Sequence, residues 1–207
     1  MFLHGMVVGS LATNCYIVGC EKTKEAAVID PGEDGEKILA VLKEVGYKAK
    51  QIINTHGHMD HINANGVIKS ATGAQLMIHK DDADFLTNSS KNLSGLMGQN
   101  NTGPAADRLL EDGDAIQIGE TVTLKVTHTP GHTPGGICLV SKEVIFTGDT
   151  VFAGSIGRTD LPGGSYETII NAIKEKLLIL SGDYKLYPGH GPASTLQEEK
   201  LSNPFFR

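Results

Sequence analysis

His56-Gly57-His58-Met59-Asp60-His61 places four side chains of metal-ligand type within six positions, at the end of the apolar run Gln51-Ile52-Ile53-Asn54-Thr55. An apolar run of that length closing on a polar cluster reads as a strand that delivers a loop. Crowding four such groups together would bury polarity with nothing to organise it unless an ion were present, so the cluster points to a metal. Its spacing also separates it from the helical zinc motif, whose two histidines stand four apart on one helix face. His56 and His58 alternate instead, as side chains do on an extended segment running into a loop.

Three later segments supply what a complete site would still need: His132 in Thr129-Pro-Gly-His-Thr-Pro-Gly135, Asp149 in Phe146-Thr-Gly-Asp-Thr150, and His190 in Tyr187-Pro-Gly-His-Gly-Pro192. Each follows a β-rich run, and each lies beside glycine, which lets backbone crowd closely around an ion. Singly, a histidine after Pro-Gly is an ordinary turn residue. In succession, after an intact first motif, they bring the candidate ligands to His56, His58, Asp60, His61, His132, Asp149 and His190.

These motifs, together with Asp30 in Val28-Ile-Asp-Pro-Gly32, resemble in their order the metallo-β-lactamase-fold hydrolases, and within them a short form of the glyoxalase II-like (hydroxyacylglutathione hydrolase-like) branch. The resemblance covers nearly the whole chain. It implies an αββα sandwich, two mixed β-sheets flanked by helices, and two divalent metal ions, zinc first, with iron or a zinc/iron mixture as the alternative. It further implies that His56, His58 and His132 hold one ion, that Asp60, His61 and His190 hold the other, and that Asp149 bridges them. The segment Gly157-Arg158-Thr-Asp160-Leu-Pro-Gly-Gly164 also resembles persulfide dioxygenases, which use a single iron on the counterparts of His56, His132 and Asp149. The rival to hydrolysis is therefore an oxidoreductase, with lactonase or β-lactamase-type acyl hydrolysis as a further alternative.

At 207 residues the chain is long enough for one domain with a sizeable core, and residues 1–207 are read as one. A net charge of −6 argues against a basic phosphate-binding face, so nucleic acid is not an expected partner. No run resembles a secretion signal or reaches membrane-spanning length, so no membrane partner is expected and the cytoplasm is the default compartment. Cys15, Cys20 and Cys138 lack paired spacing and read as buried free thiols. Three Asn-x-Ser/Thr sequons, at Asn88, Asn92 and Asn100, mark a polar, exposed stretch.

Hydrophobic periodicity predicts strands over 13–18, 25–29, 51–55, 75–78, 114–118, 121–127, 137–140, 144–147 and 185–187. Helices are predicted over 35–45, 61–70, 81–86, 166–180 and, shorter, 195–200. Between 88 and 107 the composition turns to Asn, Ser, Gly and Pro, a connection that is either disordered or a functional lid.

Two bridged metals would supply a hydroxide nucleophile near neutral pH, so hydrolysis of a small-molecule acyl or thioester substrate is the expected reaction. Asp60 and Asp149 are the catalytic carboxylates, Asp60 as a ligand and Asp149 as the bridge, with proton transfer left to Asp149 or solvent. Arg158 is the candidate receptor for a substrate carboxylate, because a guanidinium offers two parallel donors; the alternative is an ordinary surface arginine, one that folds towards Asp160. Asp30 either orients the His56–His61 loop or forms a simple turn. Tyr16 and Tyr166 read as packing residues, and His4, His79 and His128 as structural. The longer glyoxalase II enzymes carry a C-terminal helical region that completes the glutathione site. Only seventeen residues follow His190 here, which puts glutathione recognition in question.

Overall fold

The computed structural model describes residues 1–207. The first half forms a six-stranded sheet whose strands lie in sequence order: β1 (Phe2–Val8), β2 (Thr13–Gly19), β3 (Glu25–Ile29), β4 (Lys48–Ile53), β5 (Gln75–His79) and β6 (Arg108–Leu110). β1, β2 and β3 pair antiparallel, and the rest follow in parallel. The second half adds β7 (Ala115–Ile118), β8 (Val122–His128), β9 (Ile137–Val140), β10 (Val144–Gly148), the small hairpin β11 (Val151–Phe152) and β12 (Ser155–Ile156), β13 (Lys185–Pro188) and β14 (Ser194–Thr195). Its main sheet runs β14-β13-β10-β9-β8-β7, with β10 and β13 parallel and every other pair antiparallel. Both main sheets are therefore mixed, as the resemblance implies.

Alternation along the strands explains the layers, because successive side chains point to opposite faces. In β2, β3 and β5, Cys15, Ile17, Val28, Leu76 and Ile78 face the outer helices, while Tyr16, Val18, Ile29 and Met77 face the second sheet. The second sheet answers from β7, β8, β9 and β10 with Ile116, Leu124, Val126, Leu139 and Phe146, closing the core between the sheets. Ile38 and Leu42 of α1 (Gly35–Val45) and Ile68 of α3 (Asn65–Thr72) cover the first sheet, and between these helices lies the single turn α2 (Met59–Ile62). Ile169 and Ile170 of α4 (Tyr166–Ala172) and Leu196 of α5 (Leu196–Ser202) cover the second. Strands buried on both faces read as continuous apolar runs, which is how β3 and β5 look in the sequence.

Several boundaries differ from the sequence reading for visible reasons. The helix expected over 61–70 breaks into α2 and α3 because its backbone groups are diverted. Asn54 Nδ2 donates to the His61 carbonyl (2.9 Å), and Ala64 N donates to the Pro31 carbonyl (2.9 Å). The helix expected over 166–180 passes from α4 into a π turn at Ile173–Leu177. The helix expected over 81–86 is a 3₁₀ segment, Lys80–Thr87. β1 had no strand signal, since its half-exposed residues carry no clean alternation. The three cysteines are free and buried, as expected. No helix is long and apolar enough to cross a membrane.

The 88–107 connection forms a loop closed by its own hydrogen bonds. Asn92 Nδ2 donates to the carbonyls of Phe85 (3.0 Å) and Asn101 (2.9 Å), and Ser94 N donates to Asn92 Oδ1 (3.0 Å). Asn92 is fully buried, so the reading of all three sequons as exposed fails at that position.

Candidate metal centre

The strands that carry the motifs open at one end of the sandwich. β4 leads to His56, β8 to His132, β10 to Asp149 and β13 to His190, and the structure brings all seven expected side chains together there. His56, His58 and His132 have ligand atoms within 4.8 Å of one another, as do Asp60, His61 and His190, and as do His56, His61 and Asp149. The three groupings share residues and form one cluster. Asp149 sits between its halves, with Oδ2 3.5 Å from His132 Nε2 and 3.7 Å from His190 Nε2, and Oδ1 3.5 Å from His61 Nε2. Gly189 must lack a side chain, since an added Cβ would run into the Asp149 carboxylate and the His61 ring.

The hydrogen bonds around the cluster decide which ring nitrogens stay bare. His132 Nδ1 donates to the Arg158 carbonyl (2.8 Å), which leaves its Nε2 as a lone pair aimed inward, while His61 Nδ1 donates to Asp30 Oδ2 (3.0 Å) and its Nε2 lies 3.2 Å from His190 Nε2. The buried Nε2 atoms of His56, His58 and His132 and Oδ1 of Asp149 have no hydrogen-bond partner at all. Buried polar atoms are nearly always paired, so four orphans converging on one place are what a cation site requires. Imidazole and carboxylate suit zinc, iron and related ions, so the residues present fit the metal pair that the fold implies.

Charge tells the same story. Burial and the neighbouring histidines hold His56 well below its ordinary pKa, and push His58 down to about 3, so both are neutral and ready to bind. Burial works against protonation of His61 as well, but Asp60, Asp149 and Asp30 outweigh it and raise this histidine well above its usual range. At His190 burial is likewise outweighed, by the hydrogen bond to Asp60 and the charge of Asp149, and the pKa rises. Burial would raise Asp60, yet His61 and the hydrogen bonds from His190 and His61 hold it well below the carboxylate range. The acid-rich half thus carries the protons that a cation would replace.

Asp30 is more than a turn. Its φ of 50° is the left-handed region, and its oxygens accept from Thr55 N (2.7 Å), Thr55 Oγ1 (2.7 Å) and His61 Nδ1. Sequence reasoning missed three further supports. Asp82 is fully buried without a cationic partner, and accepts from Gly57 N (2.9 Å), Thr133 Oγ1 (2.7 Å) and Gly135 N (2.6 Å). It pins the His56–His61 loop to the His132 loop, and burial raises its carboxyl pKa. Thr13 Oγ1 donates to Asp60 Oδ2 (3.0 Å), and Asn14 Nδ2 donates to the carbonyls of Pro188 (3.0 Å) and Gly191 (2.9 Å) on either side of His190. An Asp next to Asp81 in a charged stretch carries no local signal for such a role, nor does a Thr-Asn pair opening a strand.

Arg158 reaches the cavity over the cluster, but its guanidinium donates from two nitrogens to Asp160, Nε to Oδ1 (2.8 Å) and a terminal nitrogen to Oδ2 (2.7 Å). The expected carboxylate receptor therefore has its fork already matched within the chain. Tyr16 is buried and donates to the Pro188 carbonyl (2.7 Å), while Tyr166 is exposed. His79 and His128 do acquire neighbours of ligand type, stacking on each other at 4.0 Å beside Asp81. Their rings are only 12° from parallel, so their in-plane lone pairs cannot meet on one ion, and the pair stays structural.

The model of the metallo-beta-lactamase superfamily matches residues 8–190, and the chain belongs to that superfamily. It is 38 % identical over 205 residues to the hydroxyacylglutathione hydrolase GloC of Haemophilus influenzae, covering 96 % of this chain and 94 % of that protein. Among solved structures it is similar to the B3 metallo-beta-lactamase BLEG-1, with TM-score 0.94, 34 % identity and 99 % of each chain covered. It is also similar to TTHA1623 in a di-iron-bound form, with TM-score 0.86, 32 % identity, and 98 % of this chain and 99 % of that one covered.

Proposed function

We propose that this chain is a dinuclear metal hydrolase of the glyoxalase II-like branch that cleaves thioesters, with S-lactoylglutathione as the reference substrate. The observation that carries this reading is the convergence of the four unpartnered buried atoms, His56 Nε2, His58 Nε2, His132 Nε2 and Asp149 Oδ1. His56, His58 and His132 would hold one ion, Asp60, His61 and His190 the other, and Asp149 would join them. Zinc is the first expectation. When bound, such a pair supplies an acidified water and polarises the scissile carbonyl.

The chain's own part is to fix that geometry. Asp30 and the Arg158 carbonyl hold His61 and His132 by Nδ1, turning each Nε2 towards the cluster. Thr13 steadies Asp60 by donating to Oδ2, so Asp60 serves as a held ligand rather than a free base. Asp149, between the two halves of the cluster, would be the carboxylate available to take up a proton, with solvent as the alternative acceptor. The branch assignment is supported by the likeness to GloC, and by Asp60, His61 and His190 all being in place, since a mononuclear site would not need them.

The test is protein purified without added metal, its metal content determined, and assayed in parallel for thiol release from S-lactoylglutathione and for oxygen uptake with glutathione persulfide. Thiol release without oxygen uptake is the expected result. Oxygen uptake without thiol release would replace hydrolysis with the dioxygenase reading.

A further inference from the structure

Above the ligand cluster lies a cavity of about 660 Å³ whose rim is apolar. Leu11 comes from the turn before β2, Leu93, Leu96 and Met97 from the 88–107 loop, Phe152 from β11 and Leu161 from the segment after Arg158. These segments are far apart in sequence, yet all present carbon side chains to the same opening. Leu96 and Met97 are 73 % and 56 % exposed, which leaves large apolar surface in water with no protein partner. The loop is built to present them. Buried Asn92 ties it internally, its carbonyl accepts from Met59 N (3.0 Å) beside the ligand Asp60, and Leu93 takes a left-handed φ of 72°.

The polar groups around this rim are already used. Both donors of the Asn92 amide go to main-chain carbonyls, and the Ser155 hydroxyl is turned to the Ile156 carbonyl (3.5 Å). Arg158 is the only lysine or arginine lining the cavity, and Asp160 occupies its fork. A carboxylate-bearing substrate arm would meet a charge pair already neutral in sum. An uncharged hydrocarbon arm would cover Leu96, Met97 and Phe152 and release their water.

We infer that the substrate arm lying along this rim is neutral and apolar, so that the enzyme selects thioesters with a hydrocarbon arm over those whose arm is as charged as glutathione. This rests on the thioesterase reading above and narrows its substrate class. The 88–107 loop is then the selectivity element, while the metal-binding floor is indifferent to the arm.

The experiment uses the zinc-loaded protein and thioesters of the neutral thiol N-acetylcysteamine carrying acetyl, butanoyl, hexanoyl and octanoyl groups. The comparison is with the same acyl groups on glutathione. The kcat/KM in the neutral series should rise with chain length, by up to roughly fourfold per methylene until the rim is covered, and should exceed the matched glutathione thioester by at least about tenfold. Met97→Lys should lower the hexanoyl value in the neutral series and raise it in the glutathione series. Leu96→Ser, which adds no charge, should flatten the chain-length slope without raising the glutathione series. Calorimetry with uncleavable S-alkyl thioethers of both thiols gives a readout independent of turnover. Flat chain-length dependence, or preference for the glutathione series in both turnover and binding, would overturn the inference while leaving thioester hydrolysis standing. Length-dependent thioether binding with no thioester cleaved would leave the rim standing and remove the hydrolase reading.

Discussion

The floor of the cavity and its rim are built on opposite principles. The floor is buried and polar, and its hydrogen bonds determine which atoms stay bare: His56, His61, His132 and Asp82 are at most 4 % exposed, and each outer contact fixes a ring or a loop. The rim is exposed and apolar, and its two most prominent side chains, Leu96 and Met97, stand mostly in water. A floor of this kind fixes a reaction and tolerates few changes. A rim of this kind can be altered without cost to the fold, so it is where related chains would diverge in substrate.

The largest expected effect lies at the centre of the floor. Asp149→Ala should lower kcat by about 10²- to 10⁴-fold while leaving the urea midpoint close to the parent. Turnover and unfolding measured on one preparation check this. Near-normal turnover would mean that no carboxylate is needed between the two halves of the cluster.

One layer out, Asp82→Ala leaves the N–H groups of Gly57 and Gly135 and the Thr133 hydroxyl without their acceptor. Each buried orphan costs about 1–3 kcal/mol, so unfolding free energy should fall by about 3 kcal/mol or more. Asp30→Asn should act on the metal instead, weakening affinity by about 10- to 100-fold as the contact that orients His61 is altered. Competition with a chromogenic chelator separates the two variants. Equal metal affinity in Asp30→Asn and the parent would reduce Asp30 to a turn residue.

The acid and neutral halves of the floor should also respond oppositely to pH in metal-free protein. His56 and His58 have folded pKa values below the unfolded value of about 6.5, His58 at about 3. The unfolded chain therefore binds more protons in that window, and stability falls as pH drops from 6.5 towards 3. His61 and His190 are raised, so their contribution is complete below 6.5 and is lost as pH climbs through their folded values. Urea melts of chelator-treated protein across pH 4 to 9 should peak near 6.5, an estimate set by the reference value for histidine. A monotonic profile would show that the two halves are not electrostatically distinct.

The smallest effect belongs to the rim: Leu96→Ser should change stability by no more than about 0.5 kcal/mol, because a side chain in water loses little on truncation. A larger loss would show that the loop packs as core does, and the contrast between floor and rim would weaken.

The same contrast explains what could be read from the chain. His56, His58, Asp60 and His61 are legible because their chemistry is concentrated in one loop, and His132, Asp149 and His190 because each follows a β-rich run beside glycine. Continuous apolar runs such as Ala26-Ala27-Val28-Ile29 imply burial on both faces and an α/β or α+β chain, and the sandwich itself comes from the family resemblance of the ordered motifs. Asp82, Thr13 and Asn14 were not legible, since their roles rest on partners many residues away, Asp82 on Thr133 and Asn14 on Pro188. The split of the 61–70 helix depends on Asn54 and Pro31 capturing its backbone groups, a tertiary event that periodicity does not register. Arg158 is ambiguous for a similar reason: the sequence leaves it either facing substrate or turned to Asp160 two positions on, and the fold gives the second while keeping it at the cavity.

The central claim, that seven side chains gather two ions with Asp149 between them, is tested most directly by anomalous diffraction from a zinc-soaked crystal at the zinc edge. Two peaks are expected, one among His56, His58 and His132 and one among Asp60, His61 and His190, with Asp149 reaching both. A single peak on His56, His132 and Asp149 that leaves Asp60 and His190 without metal at saturating zinc would contradict it.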